Sequence, residues 1–284
     1  VPFAREAARV ISGEEGRLVQ DHLAFRTFNT HTGEQPEGIT AVGHIIRALG
    51  YRRAANYVFK KKRLTAVFFE PPENYLPKIF VSQLEVGDLP VWAQTLIKEA
   101  VKETPYRLSD AGIEILGHLM QDGIITAEAA DILEDEMVDY FVRPWGIPLK
   151  ESVLKLNDLS QYAAWVLLHG NSVSHFAALL NGPDGKNGPD IETVGRILRE
   201  AGIPMKEEIE GFPGGPLQQT ATYAVKETME VKTSEGPEEM VWTYAYFELV
   251  KRGFTGTQTP PILFQGFITD QERHLFNMTQ THDN

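Results

Sequence analysis

The chain has 284 residues, no cysteine and a formal charge of −12. Those three facts exclude disulfides, thiolate metal sites and cysteine nucleophiles, and they argue against nucleic acid or an anionic membrane as the main partner. Hydrophobic residues at 42% and charged residues at 23% fit a soluble globular protein large enough for a sizeable core. No apolar run approaches the ~20 residues that span a bilayer. The stretch VPFAREAARVISGEEG mixes charges into its apolar residues, unlike a signal-peptide core. With the missing cysteines, this predicts a cytoplasmic protein.

In chain order, DHLAFRTFN (21–29) predicts the first strand. Period 2 puts Leu23, Phe25 and Thr27 on one face and His22, Ala24 and Arg26 on the other. The second face carries an imidazole and a guanidinium with one methyl group between them. ITAVGHIIRALGY (39–51) predicts an amphipathic helix ending near Gly50. NYVFKKKRLTAVFFEP and KIFVSQLEV predict strands, with the basic run 60–63 on a solvated strand or hairpin tip. From 89 to 168 the pattern changes. LPVWAQTLIKEAV, DAGIEILGHLM, TAEAADILEDEMVDYFV and LSQYAAWVLL read as helices by period and capping signals. SVSHFAALL then predicts a strand and IETVGRILREAGI (191–203) a helix. Between them, NGPDGKNGPD (181–190) reads as a turn without P-loop spacing. LQQTATYAVKETMEV, EMVWTYAYFELVKR and PILFQGFIT predict the closing strands.

The two helices flanking the central stretch are similar. At a shift of 152, Ile39, Val42, Gly43, Ile45, Arg47 and Gly50 match Ile191, Val194, Gly195, Ile197, Arg199 and Gly202. The strand before each helix carries His22-Leu23-Ala24 and His175-Phe176-Ala177. This internal repeat predicts an α+β fold. Two βαβββ modules, 1–88 and 169–284, flank a helical insertion at 89–168, all in one compact unit.

Matched histidines in both modules point to a shared interior. The alternative is a pair of core histidines with satisfied hydrogen bonds. A third candidate lies in VWTYAYFELVKR, where Trp242, Tyr244, Tyr246, Glu248 and Val250 share one face of a continuous strand. A carboxylate buried among aromatics needs a metal or a cation. The alternative partners are Lys251 and Arg252, expected to face solvent at the strand end. His22, His175 and Glu248 together make the two-histidine, one-carboxylate set of non-haem Fe(II) oxygenases, and the same ligand types hold catalytic zinc. His169 is expected near these ligands or in a loop, His44 and His118 in structural roles, and His31, His274 and His282 at the surface.

Paired βαβββ modules with His, His and Glu on separate strands resemble the vicinal oxygen chelate superfamily. Within it, DHLAFRTF, with an arginine four residues after the metal histidine, resembles the 2-oxoadipate dioxygenase/decarboxylase family, and IFVSQLEV, FEL and GFIT fit the same pattern. The resemblance covers most of the chain, helical insertion included. It implies a partly closed barrel around Fe(II), with Zn, Ni or Mn as other occupants. It also implies conversion of 2-oxoadipate and O₂ to 2-hydroxyglutarate and CO₂, as in lysine degradation. Carried onto this chain, His22, His175 and Glu248 hold the metal and Arg26 grips a carboxylate of a dicarboxylic 2-oxo acid. Arg26 lies about 13 Å along an extended strand from His22, and its guanidinium fork suits a carboxylate. Its alternative role is a structural pair with a buried acid such as Asp21. Gln83 is a further candidate, placed opposite Glu248 if the modules are symmetric, and Gln265 and Thr269 on the last strand are candidates to line the slot. Rival readings keep the metal but make the protein a redox-neutral lyase, isomerase or hydrolase, or a non-catalytic binding protein.

Overall fold

Strand β1 (Gln20–Phe28) lies at the centre of the sheet, and the site is built outward from it. The computed structural model describes residues 3–12, 18–32, 37–182, 188–255 and 262–268. Helix α1 (Phe3–Ser12) precedes β1, and α2 (Gly38–Ala48), β2 (Arg52–Phe59), β3 (Leu64–Glu70) and β4 (Lys78–Leu84) follow it. Next come α3 (Val91–Val101), α4 (Asp110–Asp122), α5 (Ala127–Tyr140), α6 (Lys150–Leu159) and α7 (Gln161–His169). The chain continues with β5 (Val173–Leu179), α8 (Ile191–Glu200), β6 (Leu217–Ala221), β7 (Lys226–Thr233), β8 (Gly236–Thr243) and β9 (Tyr246–Arg252). Two short strands, β10 (Phe254–Thr255) and β11 (Ile262–Leu263), end the described chain.

Seven strands curl into a half-barrel in the order β2-β3-β4-β1-β5-β9-β6. β1 runs parallel to β4, β5 parallel to β9, and β1 antiparallel to β5. Across the central pair, Leu23 faces Phe176, His22 faces Ala177 and Ala24 faces His175. A local two-fold axis therefore passes through the Leu23–Phe176 pair. It sets the two histidines diagonally across the ladder, on one face.

That face and its reverse are covered differently. Helix α2 packs its Ile39, Val42 and Ile46 against Phe25, Val67, Phe69 and Val81. Helix α8 packs Val194 and Leu198 with Phe247 and Leu249. The His22 face instead receives α7, whose Tyr162 to Leu168 are all buried, in a core shared with Ala24, Phe28, Phe68, Phe80 and Leu84. The helical insertion thus fills the inner side of the half-barrel. Burying a side chain such as Phe28 contributes about 1.5–3 kcal/mol, so the shared core holds α7 against the sheet.

Two expected strands are broken. The alternation over 240–252 continues unbroken in sequence, yet the chain leaves the hairpin at Thr243 and enters the main sheet at Tyr246. β8 pairs with β7 in a separate two-stranded ribbon, while β9 pairs with β5 and β6. LQQTATYAVKETMEV divides likewise into β6 and β7. The jog is held by reciprocal backbone bonds, Tyr244 N–H to the Val225 carbonyl and Val225 N–H to the Ala245 carbonyl. Hydrophobic alternation does not register such a change of partner, because the apolar pattern runs on through it although β8 is largely exposed and β9 almost wholly buried. The second module thus gives three strands to the main sheet, with edge bridges at Met205–Thr222 and Glu210–Gln219. Lys60–Lys62 form one tight turn between β2 and β3, so the basic run is a hairpin tip. The last expected strand is regular only at Ile262–Leu263. Among the described residues no helix is long and apolar enough to cross a membrane.

Candidate metal centre

His22, His175 and Glu248 converge on the inner face, from β1, β5 and β9, and all three are buried. The parallel β5–β9 register sets Glu248 beside Ala177, which itself faces His22. Small residues between the ligands therefore leave the space into which they point. His22 Nε2 lies 3.2 Å from His175 Nε2 and 3.2 Å from Glu248 Oε2, and His175 Nε2 lies 3.9 Å from that oxygen. Donors that each sit about 2.1 Å from one ion at right angles are about 3 Å apart, so this spacing is that of a ligand set.

The protons on the two imidazoles follow from their neighbours. His22 Nδ1 is 2.8 Å from Asp21 Oδ2. A carboxylate only accepts, so Nδ1 carries the hydrogen and Nε2 faces the centre with a lone pair. Ser174 Oγ donates its one proton to the Ala24 carbonyl at 3.3 Å and lies 3.3 Å from His175 Nδ1. It therefore accepts from that nitrogen, and His175 Nε2 is also bare. Burial pushes the His175 pKa well below its ordinary value, aided by His22 and Arg26, which keeps the ring neutral. Burial alone would lower His22 too, but the carboxylates of Asp21 and Glu248 raise it. Positive charge is thus favoured where the donors meet. Neither oxygen of Glu248 accepts a hydrogen bond from the described residues. A carboxylate left so in a buried site costs several kcal/mol, and a divalent cation between the three donors removes that cost. The residues fit a metal ion.

Asp21 is held in turn by Arg252, whose Nε and Nη2 donate to Oδ1 and Oδ2 at 2.6 and 2.7 Å. Burial would raise the Asp21 pKa, yet Arg252 keeps the carboxyl well below its usual range. A register shift beside Asp21 in the β1–β5 ladder lets neighbouring side chains 21 and 22 meet. The expectation that Arg252 faces solvent is corrected: it is 2% exposed. Asp21 is engaged by Arg252, not by Arg26.

A small cavity opens from these donors. Arg26 lines it from the same strand, buried beneath α7, with its guanidinium 4.8 Å from the Trp165 ring and 5.1 Å from Tyr162. Burial lowers its pKa. Phe80, Ser82, Gln219, Tyr246 and Phe267 supply other walls. Burial, and then Glu248, pushes the Tyr246 phenol well above its ordinary pKa, so it stays protonated.

The weaker candidates do not gather here. Gln83 points to the α2 side. Its Oε1 accepts the Ile39 N–H at 2.8 Å, and its Nε2 donates to Glu85. Gly38, at φ +59°, makes room for it, since a Cβ there would fall 2.3 Å from Gln83 Oε1. The register equivalent of Glu248 is Phe80, which faces Ala24 as Glu248 faces Ala177. Gln83 is off by an odd number of residues and so on the wrong face. Gln265 is exposed and donates to the Leu263 carbonyl. Thr269, His274 and His282 lie outside the described residues. His31, His44 and His118 are exposed. His169 is buried at the end of α7 between Trp165 and Tyr244, its Nε2–H donating to the Thr243 carbonyl at 3.0 Å. Two signals could have found the missed wall residues. Tyr246 shares the period-2 face of Glu248, and Ser82 and Phe80 share a parity set by Arg26.

The family model described as 2-oxoadipate dioxygenase/decarboxylase matches residues 4–284. A chloroplastic 2-oxoadipate dioxygenase/decarboxylase from Arabidopsis thaliana is 26% identical over 258 residues, covering 86% of this chain and 61% of that protein. The chain spans about three-fifths of the length of the curated relatives it matches. A glyoxalase superfamily protein from Ralstonia eutropha JMP134 superposes with a TM-score of 0.82 at 23% identity, covering 94% of this chain and 80% of its own. Hydroxyglutarate synthase from Oryza sativa, solved with 2-oxoadipate, superposes with a TM-score of 0.71 at 22% identity, covering 99% and 87%. At these identities the structures establish the shared fold.

Proposed function

The chain belongs to the 2-oxoadipate dioxygenase/decarboxylase family, and on that premise we propose that it converts 2-oxoadipate and O₂ to 2-hydroxyglutarate and CO₂ at a non-haem Fe(II). The observation that carries this reading is one cavity with two poles. His22, His175 and Glu248 bring three bare donors to one pole, and Arg26 brings a buried guanidinium to its wall.

Each part has a task the chain's own chemistry suits. Asp21 and Ser174 fix both imidazoles with Nε2 facing inward, so the donors need no rearrangement to bind. Fe(II), when bound, supplies the redox chemistry with O₂ that no side chain of this protein provides. Arg26 offers a planar fork to the distal carboxylate of a 2-oxo diacid, and the Trp165 and Tyr162 rings keep it from collapsing onto the sheet. Phe80 and Phe267 exclude water from the centre. The protonated Tyr246 hydroxyl faces the same cavity, while the Ser82 hydroxyl is held by the Phe25 carbonyl.

Oxygen uptake tests the reading. Metal-free protein is reloaded anaerobically with Fe(II) and given 2-oxoadipate, with Zn(II)-loaded protein as control. The expected result is one O₂ consumed and one CO₂ released per diacid, with 2-hydroxyglutarate formed and no turnover with zinc. Stoichiometric iron without uptake on any 2-oxo acid would overturn it and favour a redox-neutral metal enzyme.

A further inference from the structure

Arg252, at the end of β9, binds two separate parts of the protein. Nε and Nη2 hold Asp21, which accepts from His22 Nδ1. Nη1 donates to the carbonyls of Phe264 and Gly266 at 3.0 and 2.8 Å. The next residue, Phe267, forms a cavity wall. Its ring stands edge-on to His22 at 5.0 Å and lies 5.4 Å from the Arg252 guanidinium. Its N–H donates to the Tyr57 hydroxyl on β2 at 3.1 Å. The segment 264–267 has no ladder partner along its length, so Arg252 and Tyr57 are prominent among the contacts that seat it.

The ligand set does not require this double attachment. A lone Asp21 carboxylate would orient His22, and the three donors converge from β1, β5 and β9 without residues 262–268. What Arg252 adds is a rigid planar link between a metal ligand's orienting acid and a piece of cavity wall. Guanidinium is suited to this, because its five donors lie in one plane and turn together.

We propose that Arg252 is a positioning residue that couples the seating of the 264–267 segment to the orientation of His22 through Asp21, so that cavity wall and metal centre form together. The inference rests on the metal-centre reading above. Coupling of this kind is reciprocal: metal should tighten the wall, and loosening the wall should weaken the metal.

The full chain is titrated with Co(II), read by visible absorption, and amide exchange is followed over 262–268 with and without Co(II). In the wild type, Co(II) should slow exchange at Phe264 and Phe267, whose N–H groups donate to the Gly253 carbonyl and the Tyr57 hydroxyl. Arg252→Gln should weaken Co(II) binding roughly 10–100-fold and abolish the effect of Co(II) on exchange at both residues. Tyr57→Phe alters a residue on β2, which carries neither a ligand nor Asp21. It should loosen Phe267 and weaken Co(II) several-fold, with the Co(II) spectrum altered in the same sense. A purely structural Arg252 would lower thermal stability and leave Co(II) affinity and spectrum unchanged in the folded variant; that result overturns the proposal. If Arg252→Gln does not fold, Tyr57→Phe decides: a loosened segment with unchanged Co(II) affinity overturns it equally. A wild-type chain that takes up no Co(II) overturns the metal-centre reading, and the coupling with it.

Discussion

On the proposed function, replacing Arg26 by Met should separate substrate recognition from metal binding. Arg26 is 2% exposed and rests on two aromatic rings, so Met can occupy the same channel beneath α7 with little change of volume. The fold loses the guanidinium's contacts, the two cation–π contacts among them at about 0.5–2 kcal/mol each, and sheds the cost of a buried guanidinium. The two effects oppose each other, so the melting temperature should move little. Catalysis should not be spared. Truncating one partner of a buried, hydrogen-bonded charge pair costs about 2–5 kcal/mol, which converts to roughly a 30- to 5,000-fold loss in kcat/KM for 2-oxoadipate. The control substrate is 2-oxohexanoate, which has a methyl group where 2-oxoadipate has its distal carboxylate. The variant should turn it over at least as well as the wild type does, because no charge is then left unmatched. Oxygen uptake measures both substrates, and a Co(II) titration should return wild-type affinity. The reasoning fails if Arg26→Met loses metal, or if both substrates fall by the same factor; either result would make Arg26 a structural residue.

Three further outcomes follow from the same geometry. Glu248→Gln keeps the shape and removes the charge, so the melting-temperature rise produced by Fe(II), Mn(II) or Co(II) in the wild type should disappear; a full rise in the variant would show that the metal sits elsewhere. Gln83→Ala should cost about 1 kcal/mol in urea unfolding, the size of a lost helix-cap bond, and leave KM for 2-oxoadipate unchanged; a raised KM would return Gln83 to the site. Burial pushes His169 down to about 4, with Arg26 and Arg143 adding to it against the Thr243 carbonyl. The unfolded chain therefore takes up this proton near pH 6.5 and the folded chain only near 4, so stability is full above pH 6.5 and falls as the pH drops through that window. The loss reaches about 3 kcal/mol. His169→Gln should flatten that part of the urea-midpoint profile between pH 7.5 and 4.5, and equal slopes for both proteins would contradict the assignment.

What was legible in the sequence was what depends on periodicity. Strand β1 alternates cleanly, so the shared face of His22 and Arg26 follows from counting by two. The repeat then carried the reading to His175, because a two-fold axis through Leu23 and Phe176 must bring two equivalent strands together. Errors entered where chain partners change without a change of pattern. Nothing in the alternation of residues 240–252 marks the departure at Thr243, yet that jog moves Trp242 into a different ribbon from Glu248. Arg252 looked like a strand-end charge, since its partner Asp21 is 231 residues away in sequence. Gln83 looked symmetric to Glu248 because register, not residue type, decides which face a side chain meets.

The break in symmetry also bears on chemistry. A perfect repeat would supply two histidines and two carboxylates. Here the position equivalent to Glu248 is Phe80, which lines the cavity with Phe267 4.9 Å away. Three protein donors on one side and an aromatic wall on the other leave one flank of the centre without a fourth charged ligand from the sheet. A site meant only to hold a metal gains by closing its coordination, whereas one that admits a chelating 2-oxo acid must keep positions free. Arg26 extends along the same strand as His22, on the same face as this flank, where the far carboxylate of such an acid would lie. The duplication therefore furnishes the half-barrel and the histidine pair, and Phe80 in the position equivalent to Glu248, together with Arg26 in the first module, makes the two halves of the cavity chemically unlike.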